Sequence, residues 1–312
     1  MSVQLIKVIK KICAEENISF SAFADDYILL LKKNGGKMYV YGNKFANNSA
    51  SAEQICDDKA GLSELLDANG IPCVKHTFFG RPGANWYFSD PQKDKEKLVS
   101  MLKNSRDGLV VKENKGSGGI NVFRARTEEE LFDAVDRVFA VSPSLAVSPF
   151  EHIRHEYRVL MLGNEFRYAF EKIRPCVTGD GKSTVNGLIS AKYGEKFTLA
   201  DKRGDYIPAN GEDCMPEWRH NLGQGAVPAL VEEAELKNKL ASLAQRCMTA
   251  LTLEFASVDI IDTDTGFKVL EINSGVMIDN FSAYSDEYYR LAESGVKAAI
   301  LKFFASYNEK NG

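Results

Sequence analysis

Residues 255–273 read Phe255-Ala256-Ser257-Val258-Asp259-Ile260-Ile261-Asp262-Thr263-Asp264-Thr265-Gly266-Phe267-Lys268-Val269-Leu270-Glu271-Ile272-Asn273. Two apolar runs, 255–262 and 267–273, flank a polar turn with a glycine, which predicts a β-hairpin. Apolar residues surround Asp259, and Leu270 and Ile272 enclose Glu271. A carboxylate in such a strand normally faces a functional cleft, because burying an unpaired charge is costly. Glu271 and Asn273 are two apart and share one strand face. A loop of about five residues around Asp264 sets Asp259 opposite Glu271. Asp259, Glu271 and Asn273 then converge as hard oxygen donors, a set that suits Mg²⁺, which takes one or two carboxylates together with phosphate oxygens. A polar, solvated edge hairpin is the plainer alternative.

Upstream, Lys112-Glu113-Asn114-Lys115-Gly116-Ser117-Gly118-Gly119-Ile120 lies between expected strands at 108–112 and 120–124. Glycines let successive backbone N–H groups approach an anion, and lysines beside them add charge; a flexible hairpin loop that binds nothing is the alternative. A second cluster, Arg219-His220-Asn221-Leu222-Gly223-Gln224-Gly225, joins cationic and amide donors. Arg158 begins a strand that continues apolar, and Lys172 and Arg174 end another. Such cations stabilise charge on a transferred phosphoryl group, although each alone is more often a surface charge. Gly179-Asp180-Gly181-Lys182-Ser183-Thr184 has the ending of a P-loop, but that motif needs glycine where Cys176 stands.

Around these motifs, helices are expected at 3–16, 59–69, 127–142, 184–192, 231–250 and 286–306. Strands are expected at 27–31, 37–41, 144–148, 156–162 and 166–172, with Asn34-Gly35-Gly36 as a hairpin turn. Strands and helices mixed in this way mean α/β or α+β.

The 312 residues are 44 % hydrophobic and 26 % charged, with a net charge of −4. That balance carries no electrostatic footprint for nucleic acid or an anionic membrane, and no apolar run approaches the ~20 residues of a membrane helix. Six scattered cysteines include no Cys-x-x-Cys pair, so reduced thiols and a cytoplasmic location are expected. His152 and His155 have no further histidine or cysteine nearby to make a metal site.

The order of the motifs resembles the ATP-grasp superfamily: Asp58-Lys59 opening a helix that ends in Gly70-Ile71-Pro72, Val110-Val111-Lys112 with the glycine loop, Glu156-Tyr157-Arg158, Gly179 to Thr184, Arg219 to Leu222, Val258 to Ile261, and Leu270 to Asn273. It looks most like the branch holding cyanophycin synthetase and the bifunctional glutathione synthetase. The resemblance spans about residues 50–280 and implies that Lys59 and Lys112 contact ATP phosphates. It implies that Gly116, Ser117, Gly118 and Gly119 close over them, that Glu156 binds the ribose, and that Ser148 and Phe150 lie beside the adenine. Asp259, Glu271 and Asn273 match Mg²⁺ ligands, with Mn²⁺ as a substitute. Arg219, Asn221, Arg158 and Lys172 match positions near the transferred phosphate and the acyl substrate. The hinge Val147-Ser148-Pro149-Phe150 departs from the family in lacking adjacent acids, and Ser274-Gly275-Val276-Met277 in lacking the usual proline.

The resemblance therefore implies an α+β ATP-grasp fold in which two antiparallel-sheet lobes clamp ATP, preceded by a short α/β segment. The expected division is 1–57 (N-terminal segment), 58–145 (central lobe) and 146–312 (C-terminal lobe). The implied activity is ATP-dependent ligation of a carboxylate to an amine through an acyl phosphate, on amino acid or peptide substrates. An ATP-grasp phosphotransferase and a non-catalytic nucleotide-binding module stay open. Homo-oligomers are common among such relatives, and the sequence leaves oligomeric state open.

Overall fold

Leu5, Val8, Ile9 and Ile12 recur at helical spacing, and α1 (Val3–Glu15) buries all four in the computed structural model. The structure describes residues 3–84, 90–174, 176–194, 199, 202–215, 220–224 and 226–311. After α1 an antiparallel meander follows: β1 (Ser19–Phe23), β2 (Ile28–Lys33), β3 (Gly36–Tyr41) and β4 (Lys44–Phe45). Asn34 and Gly35, with φ +49° and +81°, supply the left-handed turn that fits the twist of a tight hairpin. Leu29, Leu31, Met38 and Val40 alternate onto the inner face, while Tyr39 and Tyr41 face out. Next come α2 (Ala50–Asp57) and α3 (Lys59–Ala68), whose first turns are capped by Ser49 and Asp58 side chains accepting backbone N–H bonds.

A four-stranded sheet is built from β5 (Thr77–Gly80), α4 (Pro91–Lys103), β6 (Leu109–Glu113), β7 (Val122–Ala125), α5 (Glu128–Val141) and β8 (Ser144–Pro149), in strand order β5-β8-β6-β7. Its core of Phe79, Leu98, Val111, Leu131, Val138 and Val147 is separate from the others. The rest of the chain supplies β9 (His155–Leu162), β10 (Glu165–Ile173), β11 (Val177–Thr178), α6 (Val185–Tyr193), β12 (Asp213–Cys214), β13 (Val227–Leu230), α7 (Ala234–Leu251), β14 (Phe255–Thr263), β15 (Gly266–Asn273), α8 (Asp279–Ser282) and α9 (Asp286–Asn311). Five of these strands form an antiparallel sheet in the order β13-β10-β9-β14-β15. One face, with Val159, Met161, Val258 and Ile260, packs on α7, α2 and α3. The other face carries Leu160, Leu162 and Phe255 into a core shared with α1, the meander and α9.

The N-terminal segment thus has no core of its own among the described residues. Its inner face is closed by the C-terminal sheet, and Asn48 stitches the two together, accepting the N–H groups of Glu254 and Phe255 and donating to the Phe255 carbonyl. Likewise α3, expected in the central lobe, buries Leu62 and Leu66 against the C-terminal sheet. No helix among the described residues is long and apolar enough to cross a membrane.

The β14–β15 connection differs from the expected five-residue loop. Thr263 pairs with Gly266, which leaves a two-residue turn, and a β-bulge at Leu270 shifts the register between Asp259 and Ile260. Without the bulge, that short turn would pair Asp259 with Leu270. With it, Asp259 pairs with Glu271, and the two carboxylates share a face.

On that face the register aligns Asp259 with Arg158, and Lys172 lies one residue beyond the Glu171–Tyr157 pair. Arg158 donates from Nε and a terminal nitrogen to the two Asp259 oxygens, both at 2.7 Å. Lys172 donates to Asp259 at 2.7 Å and to Glu156 at 2.6 Å. Asp259 is 1 % exposed. Burial alone would raise its pKa, but Arg158 and Lys172 outweigh burial and hold it below the usual carboxylate range. Glu156 is pushed up by burial, although Lys172 pulls the other way. Removing one member of a buried network strands its partners' charges. Asp259→Ala should therefore lower unfolding free energy by about 3–5 kcal/mol, read from urea denaturation; a loss below about 1 kcal/mol, the range of an exposed pair, would show that the network does not hold the sheet.

Candidate active site

A cavity of about 250 Å³ opens between the four-stranded and five-stranded sheets. Asn114, outside the lining and fully buried, joins the two lobes. The Asn114 side chain accepts the Ala60 N–H and donates to Asp58, and its carbonyl accepts the Lys59 N–H. This staple fixes the start of α3 beside β6, so Lys59 and Lys112 line the same cavity. Lys112 is 8 % exposed, and burial, reinforced by Lys59, lowers its pKa to about 8. Behind the two lysines lies His76, whose ring nitrogens have no hydrogen-bond partner. Burial, Lys112 and Lys59 keep it neutral.

The glycine loop runs over the cavity. Gly118 and Gly119 both hold φ +69°, a conformation that costs glycine little. Asn121 ties the base of the loop to Glu113 at 2.7 Å. The Lys59 ammonium donates to the Gly116 carbonyl. The Asn221 amide reaches across from the opposite lobe and donates to the Gly118 carbonyl at 2.7 Å. Gly116, Ser117, Gly118 and Gly119 all line the cavity.

At the hinge end, Ser148, Pro149 and Phe150 line the cavity with Val110, Ile261 and Leu270. The Phe150 N–H is already spent on the Gly108 carbonyl, and the Arg124 guanidinium stacks 3.4 Å from the Phe150 ring centroid. The floor comprises Glu156, Arg158, Lys172, Glu271 and Asn273. Asn273 donates to Glu271 at 3.2 Å. Asp259 lies beneath this floor, both its oxygens taken by Arg158 and Lys172. Glu271 and Asn273 therefore offer the accessible oxygen donors, a pair compatible with Mg²⁺ that draws its remaining ligands from phosphate and water. Among the described residues no three His, Cys, Asp or Glu side chains gather as a metal cluster.

The far end is formed by His220, Asn221 and the 3₁₀ turn Leu222–Gln224, facing Gly275, Met277 and Phe281. The His220 Nδ1–H donates to the Lys172 carbonyl at 2.8 Å, leaving Nε2 as an acceptor without a partner. Burial lowers its pKa to about 4, so this member of the basic cluster is neutral. Arg219 lies outside the described residues.

The P-loop-like stretch is closed to anions by its own side chain: Asp180 accepts the N–H groups of Lys182 and Ser183 at 2.8 and 2.6 Å. His152 and His155 pair separately with Asp107 and Glu171. Sequence reasoning quoted Leu222 and Met277 within their motifs without giving either a role, and it missed Phe281 as a cavity residue.

A family profile for the RimK-like ATP-grasp domain matches residues 210–288. The chain is 24 % identical over 249 residues to a cyanophycin synthetase of Nostoc sp., covering 72 % of this chain and 26 % of that protein. It is 26 % identical over 259 residues to the glutathione biosynthesis bifunctional protein GshAB of Lactiplantibacillus plantarum, covering 75 % of this chain and 33 % of that one. The chain thus spans about a quarter to a third of the length of these relatives. Among solved structures, a D-alanine–D-alanine ligase from Bacillus anthracis superposes with a TM-score of 0.54 at 15 % identity, covering 84 % of this chain and 71 % of that one. A bifunctional glutathione synthetase from Pasteurella multocida superposes with a TM-score of 0.53 at 18 % identity, covering 89 % and 41 %. The chain has the ATP-grasp fold, α+β with antiparallel sheets on either side of its cavity, and its residues 210–288 match the RimK-like ATP-grasp domain.

Proposed function

We propose that this chain is an ATP-dependent ligase that joins a carboxylate to an amine, acting on amino acid or short peptide substrates. The observation that carries the reading is one cavity lined by Lys59 and the buried Lys112, an apolar hinge slot, a glycine loop and the Glu271–Asn273 oxygen pair. The hinge slot, with Ser148 and Phe150, takes the adenine, and the free oxygen of Glu156 takes the ribose. Lys59, Lys112 and the loop residues Gly116 to Gly119 hold the phosphates. Glu271 and Asn273 hold Mg²⁺, or Mn²⁺ in its place, and Asp259 joins them only by giving up bonds to Arg158 and Lys172. The metal supplies positive charge against the phosphate oxygens.

In this reading a substrate carboxylate takes the γ-phosphoryl group and an amine then displaces phosphate, forming the amide. Arg158, Lys172, Asn221 and Arg219 neutralise charge and position the reactants, which is most of what phosphoryl transfer requires. The loop pinned by Asn221 keeps water from the acyl phosphate. No side-chain nucleophile is needed. The composition fits a cytoplasmic enzyme with small-molecule partners and with neither nucleic acid nor membrane as a target.

The proposal is tested by phosphate release from Mg-ATP with pooled amino acids and short peptides, followed by product analysis. An amide product with free phosphate is expected. A phosphorylated product would mean a phosphotransferase, and absence of ATP binding would mean neither.

Glu271→Ala should cut turnover by about 10²–10³-fold or more while circular dichroism and the thermal midpoint stay near wild type; full activity would remove Glu271 from the metal site.

The lowered Lys112 pKa gives a pH signature. Below about pH 8 Lys112 is charged and binds phosphate; above it the free protein holds the neutral amine, and ATP binding must take up a proton. ATP affinity should fall with rising pH above pH 8, approaching about tenfold per unit. Lys112→Met should bind more weakly and lose that slope. The same shift makes the ligand-free protein more stable as pH rises from about 8 towards 10.5, because the unfolded chain then binds the extra proton.

A further inference from the structure

The cavity has two apolar ends and one charged middle. At the hinge end Val110, Pro149, Phe150 and Ile261 form an apolar slot. Lys59, Lys112, Arg158, Lys172 and Glu271 lie between the ends. Past Asn273, Leu222, Met277 and Phe281 form a second apolar wall. A nucleotide has one flat apolar part and one charged tail, so it accounts for the first end and the middle. The second end is left for the other reactant.

This second wall is rigid. Val276 and Ile278 are 2 % and 1 % exposed, locked in the core shared with α1 and α9. They hold the backbone of Met277, whose own side chain is 55 % exposed and lines the cavity. Phe281 is stacked between Phe170 at 4.5 Å and Tyr288 at 4.8 Å. Leu222 rests on the same core. The polar groups here are uncharged: the amides of Asn221 and Asn280, and the neutral His220 with its unpartnered Nε2 acceptor. Among the described residues that line this end none is charged, Asp279 lying outside the lining, and burying a substrate charge unpaired is costly.

We propose that Leu222, Met277 and Phe281 form the side-chain pocket for the non-nucleotide reactant, and that this reactant is an amino acid or terminal peptide residue with an apolar, uncharged side chain. Met277 is then a specificity-determining residue. The inference rests on the ligase reading and sharpens its substrate class.

The test is calorimetric binding to the full chain saturated with a non-hydrolysable ATP analogue and Mg²⁺. The probes are L-leucine, L-phenylalanine and dileucine against L-glutamate, L-lysine and diglutamate, for wild type and Met277→Glu. The apolar probes should bind at least about tenfold tighter than the charged ones, and Met277→Glu should weaken them by about tenfold or more. Because Met277 is exposed, the variant should keep its fold, verified by circular dichroism, and its affinity for the analogue should move less than about twofold, within the spread of a surface substitution. A preference for charged probes, no binding of any probe to the analogue-loaded protein, or an unaffected variant would overturn the inference and leave the ligase reading standing. Failure of the analogue itself to bind would overturn the ligase reading, and the inference with it.

Discussion

Asp259 accepts three charge-assisted hydrogen bonds, two from Arg158 and one from Lys172, and the geometry of the cavity floor follows from them. Those bonds draw side chains from β9, β10 and β14 to one point on the five-stranded sheet. They also set which groups reach the cavity: Arg158 and Lys172 line it, with Asp259 underneath. Buried charges of this kind stabilise little in net terms, since desolvation offsets most of the attraction. What they supply here is orientation, because a guanidinium held by a bidentate carboxylate has few rotamers left.

The bulge at Leu270 is the backbone counterpart of that network. It sets Asp259 opposite Glu271 across a two-residue turn and turns both Leu270 and Glu271 towards the cavity. One extra residue in one strand thus supplies an apolar contact at the hinge end and an oxygen donor in the middle.

The sequence made much of this legible, for identifiable reasons. Long elements with a clear period, such as α1, α5, α7 and the β14–β15 hairpin, appear where their patterns predict them. Thr127 caps α5 as its side chain suggests. By contrast, α4 buries only Leu98 and Leu102, too few to set a helical period, and β4 has two residues. The pairing of Asp259 with Glu271 was foreseen by way of a longer turn, since a bulge leaves no mark in residue types. The cations around Asp259 were visible singly, but their convergence depends on the register of three strands. His76 and Phe281 were hidden because an isolated histidine or phenylalanine reads as ordinary core.

The separateness of the four-stranded sheet's core governs how the cavity can open. Among the described residues Phe79, Val111 and Val147 belong to one apolar cluster with α4 and α5, whereas α1 to α3 are bound into the C-terminal sheet. The chain enters this unit just after His76 and leaves it near Phe150, so the backbone crosses between the two parts twice. One crossing is moored by the Val74 N–H on the Val269 carbonyl, the other by Arg154 on Asp262 and Thr263. The Asn114 staple and the Asn221–Gly118 bond are the latches across the gap. Any opening of the cavity would therefore have to break these latches, while the N-terminal helix and meander stay bound to the C-terminal sheet.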